Sequence, residues 1–424
     1  MFFAIILAAV SLIGPLAVHL FIPVLPAVHE AFGISGGLTQ LAFSVTLFVM
    51  AFMTLAYGAL SDRLGRRPVL LGGLALFLVG SAICALATSI VLLVCGRITQ
   101  AIGAASGLAL SRAMARDVFG PDRLVGVLGY LTMAYALGPM LAPLVGGALG
   151  DAFGWRGIFW FAFSAGAIIA LASALTLRET HPVEKRQSSQ FRSTFSGFRQ
   201  LFSDIRFNAF VLQSGFAAGT YFALASGTAF LMQEFLHMPA AEFGLWFCLL
   251  AIGYSLGNLI ATRTAGKVSV ETALLMASVG CVVSIGLMAG FILSGNITPI
   301  TIFVPAVLLT LCQGISLPNA QAGAINVTPH HAGTAAGIGV FVHMFGGGLF
   351  SQVYGLLSDG TPIPLVVTTV ISATLTLIAG IVAYANKPLP RGGHDAQEIG
   401  PSSSIANVSA VDHKHHEGND GKGR

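Results

Sequence analysis

The sequence predicts an all-α membrane protein of about twelve transmembrane helices, arranged as two pseudo-symmetric six-helix bundles. Three observations predict it. Charged residues supply only 9% of the chain, against roughly 25% in a soluble domain. Hydrophobic residues supply 55% of the 424 residues and mean hydropathy is +0.83, so too few polar groups exist to cover a soluble surface. The charges also cluster, leaving apolar stretches at or near the roughly 20 residues that a helix needs to cross the hydrocarbon core.

Taken in order, residues 2–27, 38–60, 69–87 and 124–150 are free of Asp, Glu, Lys and Arg. A fourth span is placed at 90–112 despite Arg97. The remainder fall near 154–177, 208–233, 241–262, 272–293, 298–320, 333–357 and 364–386. The first stretch has no basic residues ahead of it and runs too long for a secretory signal, so it reads as a retained helix. The lack of basic residues before Phe2 would fit a start further upstream.

Residues 179–207 are polar and rich in Ser and Arg, and they separate a first bundle (1–178) from a second (208–386). Residues 387–424 carry Gly, Ser, His and charge, the composition of a disordered tail. His413, His415 and His416 in that tail could hold a metal, but solvation accounts for them, and no metal site is expected. The five cysteines fall inside spans with no CxxC pair, as small packing residues would.

An even number of spans puts both termini on one side. With the termini in the cytoplasm, that side gains Arg63, Arg66, Arg67, Arg112, Arg116 and Arg123, then the basic segment between the bundles, then Arg263 and Lys267. The opposite side keeps only Arg156. The positive-inside rule therefore favours cytoplasmic termini and a multi-pass protein of the bacterial inner membrane.

The halves repeat. Gly58 and Gly257 close the second and eighth spans, and Gly146-Gly147 and Gly346-Gly347 recur at a similar offset. A parallel repeat of this kind places a binding site between the halves near the midplane.

Gly58-Ala59-Leu60-Ser61-Asp62-Arg63-Leu64-Gly65-Arg66-Arg67 fits GxxxDRxGRR and resembles motif A of the major facilitator superfamily, at its place between the second and third spans. Gly58 would permit close helix contact, while Asp62, Arg63, Arg66 and Arg67 would form a charge network about Gly65. The resemblance implies that this network latches the outward-facing state. Leu137-Gly138-Pro139-Met140-Leu141-Ala142-Pro143-Leu144-Val145-Gly146-Gly147 resembles motif C of the antiporter branch, which implies an exporter. Arg97-Ile98-Thr99-Gln100-Ala101-Ile102-Gly103-Ala104-Ala105 resembles motif B, with Ala101 where the pattern has Gly. It implies that Arg97 faces the central cavity and assists proton transfer. The alternative is a structural Arg bonded to helix carbonyls.

Further stretches are similar to the Bcr/CflA drug-resistance subfamily: Gly14 to Pro26, Trp155 to Phe161, Arg178-Glu179-Thr180, Ser226-Gly227 and Pro318 to Ala324. This likeness implies proton-coupled efflux of drugs by alternating access, with the proton gradient as energy source, no cofactor, and a monomer that meets lipid, protons and a small molecule but no nucleic acid. Three departures stand out. His19 replaces an Asp usual in the first helix, and Leu224 and Ala229 replace a Tyr and a Pro.

An ionisable group at the bilayer centre costs about 2.5–3.5 kcal/mol on insertion scales. No carboxylate lies deep in a span, and the candidates are His19, Arg97 and His343. His19 can titrate between pH 5 and 8 and is the candidate proton carrier, with a neutral cavity-lining histidine as the alternative. For His343, a hydrogen-bonded neutral ring is the favoured reading. Gln100, Gln213, Asn258, Gln313, Asn319 and Gln321 must either satisfy one another across helices or face a cavity. Tyr221, Phe222 and Phe230 would supply its apolar walls.

No nucleophile with a base, HExxH pair or GxxxxGKS loop occurs, which excludes a membrane hydrolase and direct ATP coupling. Two alternatives to drug efflux remain: a transporter of one specific metabolite on the same fold, without proton coupling, and a receptor built on it.

Overall fold

A computed structural model of the protein describes residues 2–182, 201–327 and 332–387. Among them, twelve helices are long and apolar enough to cross a membrane, and no strand occurs. They are α1 (Phe3–Phe32), α2 (Gly36–Leu64), α3 (Arg66–Ala85), α4 (Ile90–Val118), α5 (Pro121–Phe153) and α6 (Trp155–Thr176). The second set is α7 (Ile205–Phe235), α8 (Ala240–Thr264), α9 (Val270–Leu293), α10 (Pro299–Val327), α11 (Ala332–Leu357) and α12 (Ile363–Ala385). Most of the segment between the halves (183–200) and the histidine-bearing tail (388–424) lie outside the described residues.

The helices begin and end where local chemistry requires. The α2–α3 turn passes through Gly65 at φ +98°, a conformation that disfavours any Cβ. Asp204 caps α7, its Oδ1 accepting from the N–H groups of Arg206 (2.7 Å) and Phe207 (3.1 Å). Ser89 and Ser269 cap α4 and α9 in the same way.

Span α1 is not one continuous helix. A helical stretch ends at His19, a 3-10 turn covers Ile22–Val24, and a last helix runs Leu25–Phe32. Pro15, Pro23 and Pro26 explain the break, because each removes an N–H and frees an upstream carbonyl. The span therefore runs five residues past the predicted end at 27.

The two halves are packed alike. In the first, α1 touches α4, α5 and α6, α2 touches α4, and α3 touches α4 and α6. In the second, α7 touches α10, α11 and α12, α8 touches α10, and α9 touches α10 and α12. Every pair recurs with its number raised by six. The halves meet where α2 lies on α11, where α5 lies on α8, and where α1 crosses α7. These two long seams are each other's counterparts under the same rule.

Candidate functional site

Small residues make the seams. A Cβ added at Gly147 would sit 2.2 Å from the Ala240 carbonyl oxygen of α8. One at Gly146 would sit 2.4 Å from the Leu20 carbonyl of α1, and one at Gly138 only 2.0 Å from Pro15. Motif C thus turns Gly138 and Gly146 to α1 and Gly147 to the other half, while Pro139 sits within α5 between them. In α11, Gly346 lies against Gly215 of α7 and Gly348 against Phe48 of α2, repeating the arrangement. Gly58 does not behave this way: a Cβ there would meet nothing within 4 Å. The close contact expected at Gly58 is absent in this conformation, because its helix face is exposed.

Hydrogen bonds between the halves, among the described residues, fall towards the end away from motif A. Ser44 donates to Gln352 Oε1 (2.6 Å), Gln352 Nε2 to the Gly37 carbonyl (3.0 Å), and Gln40 to Ser351. Gln233 Nε2 donates to the Pro23 carbonyl at 2.7 Å. Asp151 of α5 caps α8, accepting from the N–H groups of Ala240 (3.2 Å) and Ala241 (2.8 Å). This end is sealed. Outside the seal lies an open vestibule of about 900 Å³ bordered by His29, Glu30, Asp151, Glu234 and His237. The sequence puts no carboxylate deep in a span, but it does not reveal that Glu30 and Glu234 converge. The signal was there in part, since all five stand close to the ends of spans that the topology brings together.

His19 sits at the break in α1, where the halves meet. It is 5% exposed, with its ring centroid 5.9 Å from that of Phe222 and 6.2 Å from that of Tyr221. Its Nδ1 has no hydrogen-bond partner. Tyr221 packs on Phe222 at 5.0 Å and on Phe247 of α8 at 6.3 Å. Tyr135, Tyr221, Tyr254 and His343 are surrounded by protein yet keep accessible surface, as the lining of a chamber does. His343 shares a hydrogen bond of 3.1 Å with Ser214 Oγ. Phe230 is further off, against His29 at 5.8 Å, towards the vestibule.

Arg97 is 1% exposed and faces the interior of the first bundle. Its Nε donates to the Ala42 carbonyl (3.1 Å), and Nη1 to the Ala17 carbonyl (2.8 Å) and to Gln100 Oε1 (2.7 Å). Its guanidinium lies 4.6 Å from the centre of the Phe21 ring, a cation–π distance. The Ala17 carbonyl is one that the end of the helical stretch leaves without a helical donor. Arg97 therefore ties α4 to α1 and α2 two residues from His19.

The amides divide. Gln100 also donates to Ser81 (2.9 Å), and Gln213 to Ser278 (3.1 Å) and Ser316 (2.7 Å). Both are fully buried within one bundle, so they hold helices together instead of lining a cavity. Gln313 donates to the Ala217 carbonyl (2.7 Å) at the edge of the chamber. Asn319 bonds back to the Ile315 carbonyl of its own helix at 2.7 Å, and Gln321 is exposed at the surface. A one-residue error in placing a helix turns a side chain by 100°, enough to exchange these environments.

At the motif A end, Arg66 pairs with Asp62 (2.6 Å) and Asp117 of α4 (3.1 Å) and donates to Ser61 Oγ (2.5 Å). The Glu179 carboxylate accepts from the N–H groups of Arg66 (2.9 Å) and Arg67 (3.3 Å), at the start of α3. Arg67 reaches the Leu177 and Ala174 carbonyls at the end of α6, while Arg63 is exposed. The described network lies wholly within the first half, joining α2, α3, α4 and α6. Burial pushes the Glu179 carboxyl up, but backbone N–H groups of His181, Arg66, Arg67 and Thr180 outweigh it and hold it below its ordinary value.

A family model described as Major Facilitator Superfamily matches residues 3–351. The chain is 29% identical over 379 residues to the uncharacterized MFS-type transporter YdgK of Bacillus subtilis, covering 89% of this chain and 94% of that one. It is 27% identical over 365 residues to multidrug resistance protein D of Escherichia coli, covering 81% and 86%. Other matching relatives are also named for drug resistance, bicyclomycin among the drugs. Among solved structures, a bacterial homologue of the human lysosomal transporter Spinster, in an inward-facing and unoccupied conformation, superposes with a TM-score of 0.73. The identity is 18%, covering 92% of this chain and 98% of that one, so the likeness speaks for the fold.

Proposed function

The chain belongs to the major facilitator superfamily and is a multi-pass transporter of the bacterial inner membrane, not an enzyme; from that premise we propose that it exports small amphiphilic compounds, drugs among them, in exchange for protons. The observation that carries this reading is the chamber at the meeting of the two bundles. There Tyr221, Tyr254 and His343 keep accessible surface, and hydrogen bonds between the halves close one end. Alternating access needs two rigid bundles with a site between them and seams that can open at either end. Relatives named for drug resistance support the cargo class.

With the basic loops in the cytoplasm, the sealed end faces the periplasm and the chamber loads from inside. A proton would arrive by the His29, Glu30 and Glu234 vestibule once the seal opens, and would be held at His19. Its unpartnered Nδ1 is free to take one, and Tyr221 is the titratable ring against it. Arg97, bonded to the Ala17 carbonyl, would set the position of His19. An Arg stays protonated and would not carry the proton itself.

A second reading makes the cargo one specific metabolite moved without protons, and the lack of any carboxylate beside the chamber favours it. Everted membrane vesicles holding the protein separate the two. A panel of antibiotics and metabolites is added to an energised membrane while a dye reports internal pH. Compound-induced proton release supports exchange, whereas transport of a compound with no proton movement supports the second reading.

A further inference from the structure

Every Asp and Glu on the twelve spans lies within two residues of a helix end. The cations go deeper. Arg97 is seven residues into α4 and Arg112 is six residues from its end. Arg97 is committed to carbonyls within the first bundle. Arg112 is not: among the described residues, no carboxylate lies within ion-pair distance of it. The sequence places it among the cytoplasmic cations, but it lies inside α4, half-buried, with Tyr135 of α5 and Arg116 of its own helix within electrostatic reach.

The seam register links Arg112 to the chamber. Gly147 lies against Ala240, Gly244 against Leu144, and Cys248 bonds the Met140 carbonyl at 3.5 Å. Continued by about one and a half turns, the same antiparallel register brings Tyr135 near Tyr254. Tyr254 stands two turns along α8 from Phe247, which touches Tyr221, which touches His19. A run of rings leads from Arg112 to His19, and among the described residues no acidic group stands on it.

We propose that this chamber takes neutral and anionic aromatic compounds and excludes lipophilic cations, with Arg112 holding the anionic or hydrogen-bond-accepting end of the substrate. The proposal rests on the transport reading and sharpens it. Ring faces alone would also accept a cation. Here a guanidinium shares the wall and, among the described residues, no carboxylate pairs with it, so a second cation meets a like charge in a medium of low dielectric. An anion meets a planar donor fork suited to carboxylates.

Three ligands with one ring system test it: 2-naphthoate, 2-naphthamide and N,N,N-trimethyl-2-naphthylammonium. Binding to the purified full chain is measured by calorimetry at low salt, and transport is measured separately in everted vesicles. The acid and the amide should bind, and the cation should bind at least about tenfold more weakly than the acid. Arg112→Gln should weaken naphthoate by about tenfold while leaving naphthamide within about twofold, and Arg112→Lys should recover part of the loss. Retained naphthamide binding shows that the variants are folded. A cation that binds as tightly as the acid, or naphthoate binding untouched by Arg112→Gln, overturns the proposal. The charge preference in calorimetry without movement of any compound would count against the exporter reading and leave the charge preference standing.

Discussion

The first six helices and the last six share one packing plan but not one chemistry. The six span pairs named above for the first half have their counterparts in the second, and small residues make both long seams. Yet the charge in a bundle's interior lies in the first, whereas the second keeps its buried Glu271 at a helix end, paired with Arg206 at 2.9 Å. In the first half Arg97 binds three oxygens in the interior, and the Asp62, Arg66, Asp117 and Glu179 network pins one end. The second half joins its interior with neutral groups: Gln213 with Ser278 and Ser316, and Thr220 with Ser372 at 2.9 Å. Packing can be duplicated because it needs only small and apolar residues at matching positions. A charge in the membrane has to be compensated locally, so each one is particular to its site.

The sharpest way to break this comparison is to remove the interior polar group from each half. Arg97→Met strands the Ala17 carbonyl and the Gln100 oxygen, while the Ala42 carbonyl keeps its helical donor. At about 1–3 kcal/mol per stranded buried group, it should cause the largest fall in thermal stability in detergent. Gln213→Leu strands only the Ser316 hydroxyl, about 1–3 kcal/mol, and should cost less than Arg97→Met, since Ser278 keeps its bond to the Leu274 carbonyl (2.8 Å). Equal losses would remove the asymmetry.

The glycines come next. Gly147→Val must push a side chain into the Ala240 carbonyl and should cost about 1–3 kcal/mol by overpacking, with loss of transport. Gly58→Ala fills open space and gains helix propensity of up to about 1 kcal/mol, so melting should hold or rise slightly. Transport lost at unchanged melting would show that Gly58 packs closely in another conformation, as the motif A resemblance implies.

The smallest effect concerns pH. Because the Glu179 carboxyl is held below its ordinary value of 4.5, its contribution is complete above that value and is lost as pH falls through the lower folded value. Glu179→Gln should reduce stability at neutral pH and flatten this acid limb. A variant with an unchanged acid limb would place the pH dependence elsewhere.

Much of this was legible in the sequence, for a physical reason. Charge-free stretches, motif A and the Gly and Pro positions of α5 depend on local composition and spacing. Their spans and close contacts follow directly, except at Gly58, where the face is open. What could not be read depends on rotation and on ends brought together by packing. Gln100 and Gln213 turned inward to their own bundles, and Gln321 turned out. Asp117 and Glu179 join Arg66 only because α4 and α6 end beside α3. The vestibule arises in the same way, from helix ends remote in sequence. Arg97 was weighed between cavity and carbonyl partners, and its carbonyl partner Ala17 exists because prolines interrupt α1.

The central claim is that proton exchange belongs to the first half, at His19, and not to the histidine of the second half, His343, which already shares a hydrogen bond with Ser214. The direct measurement is compound-induced proton release from everted vesicles for wild type, His19→Gln and His343→Gln. The account predicts that release vanishes in His19→Gln and persists in His343→Gln. Release that persists in His19→Gln, or vanishes only in His343→Gln, would contradict it.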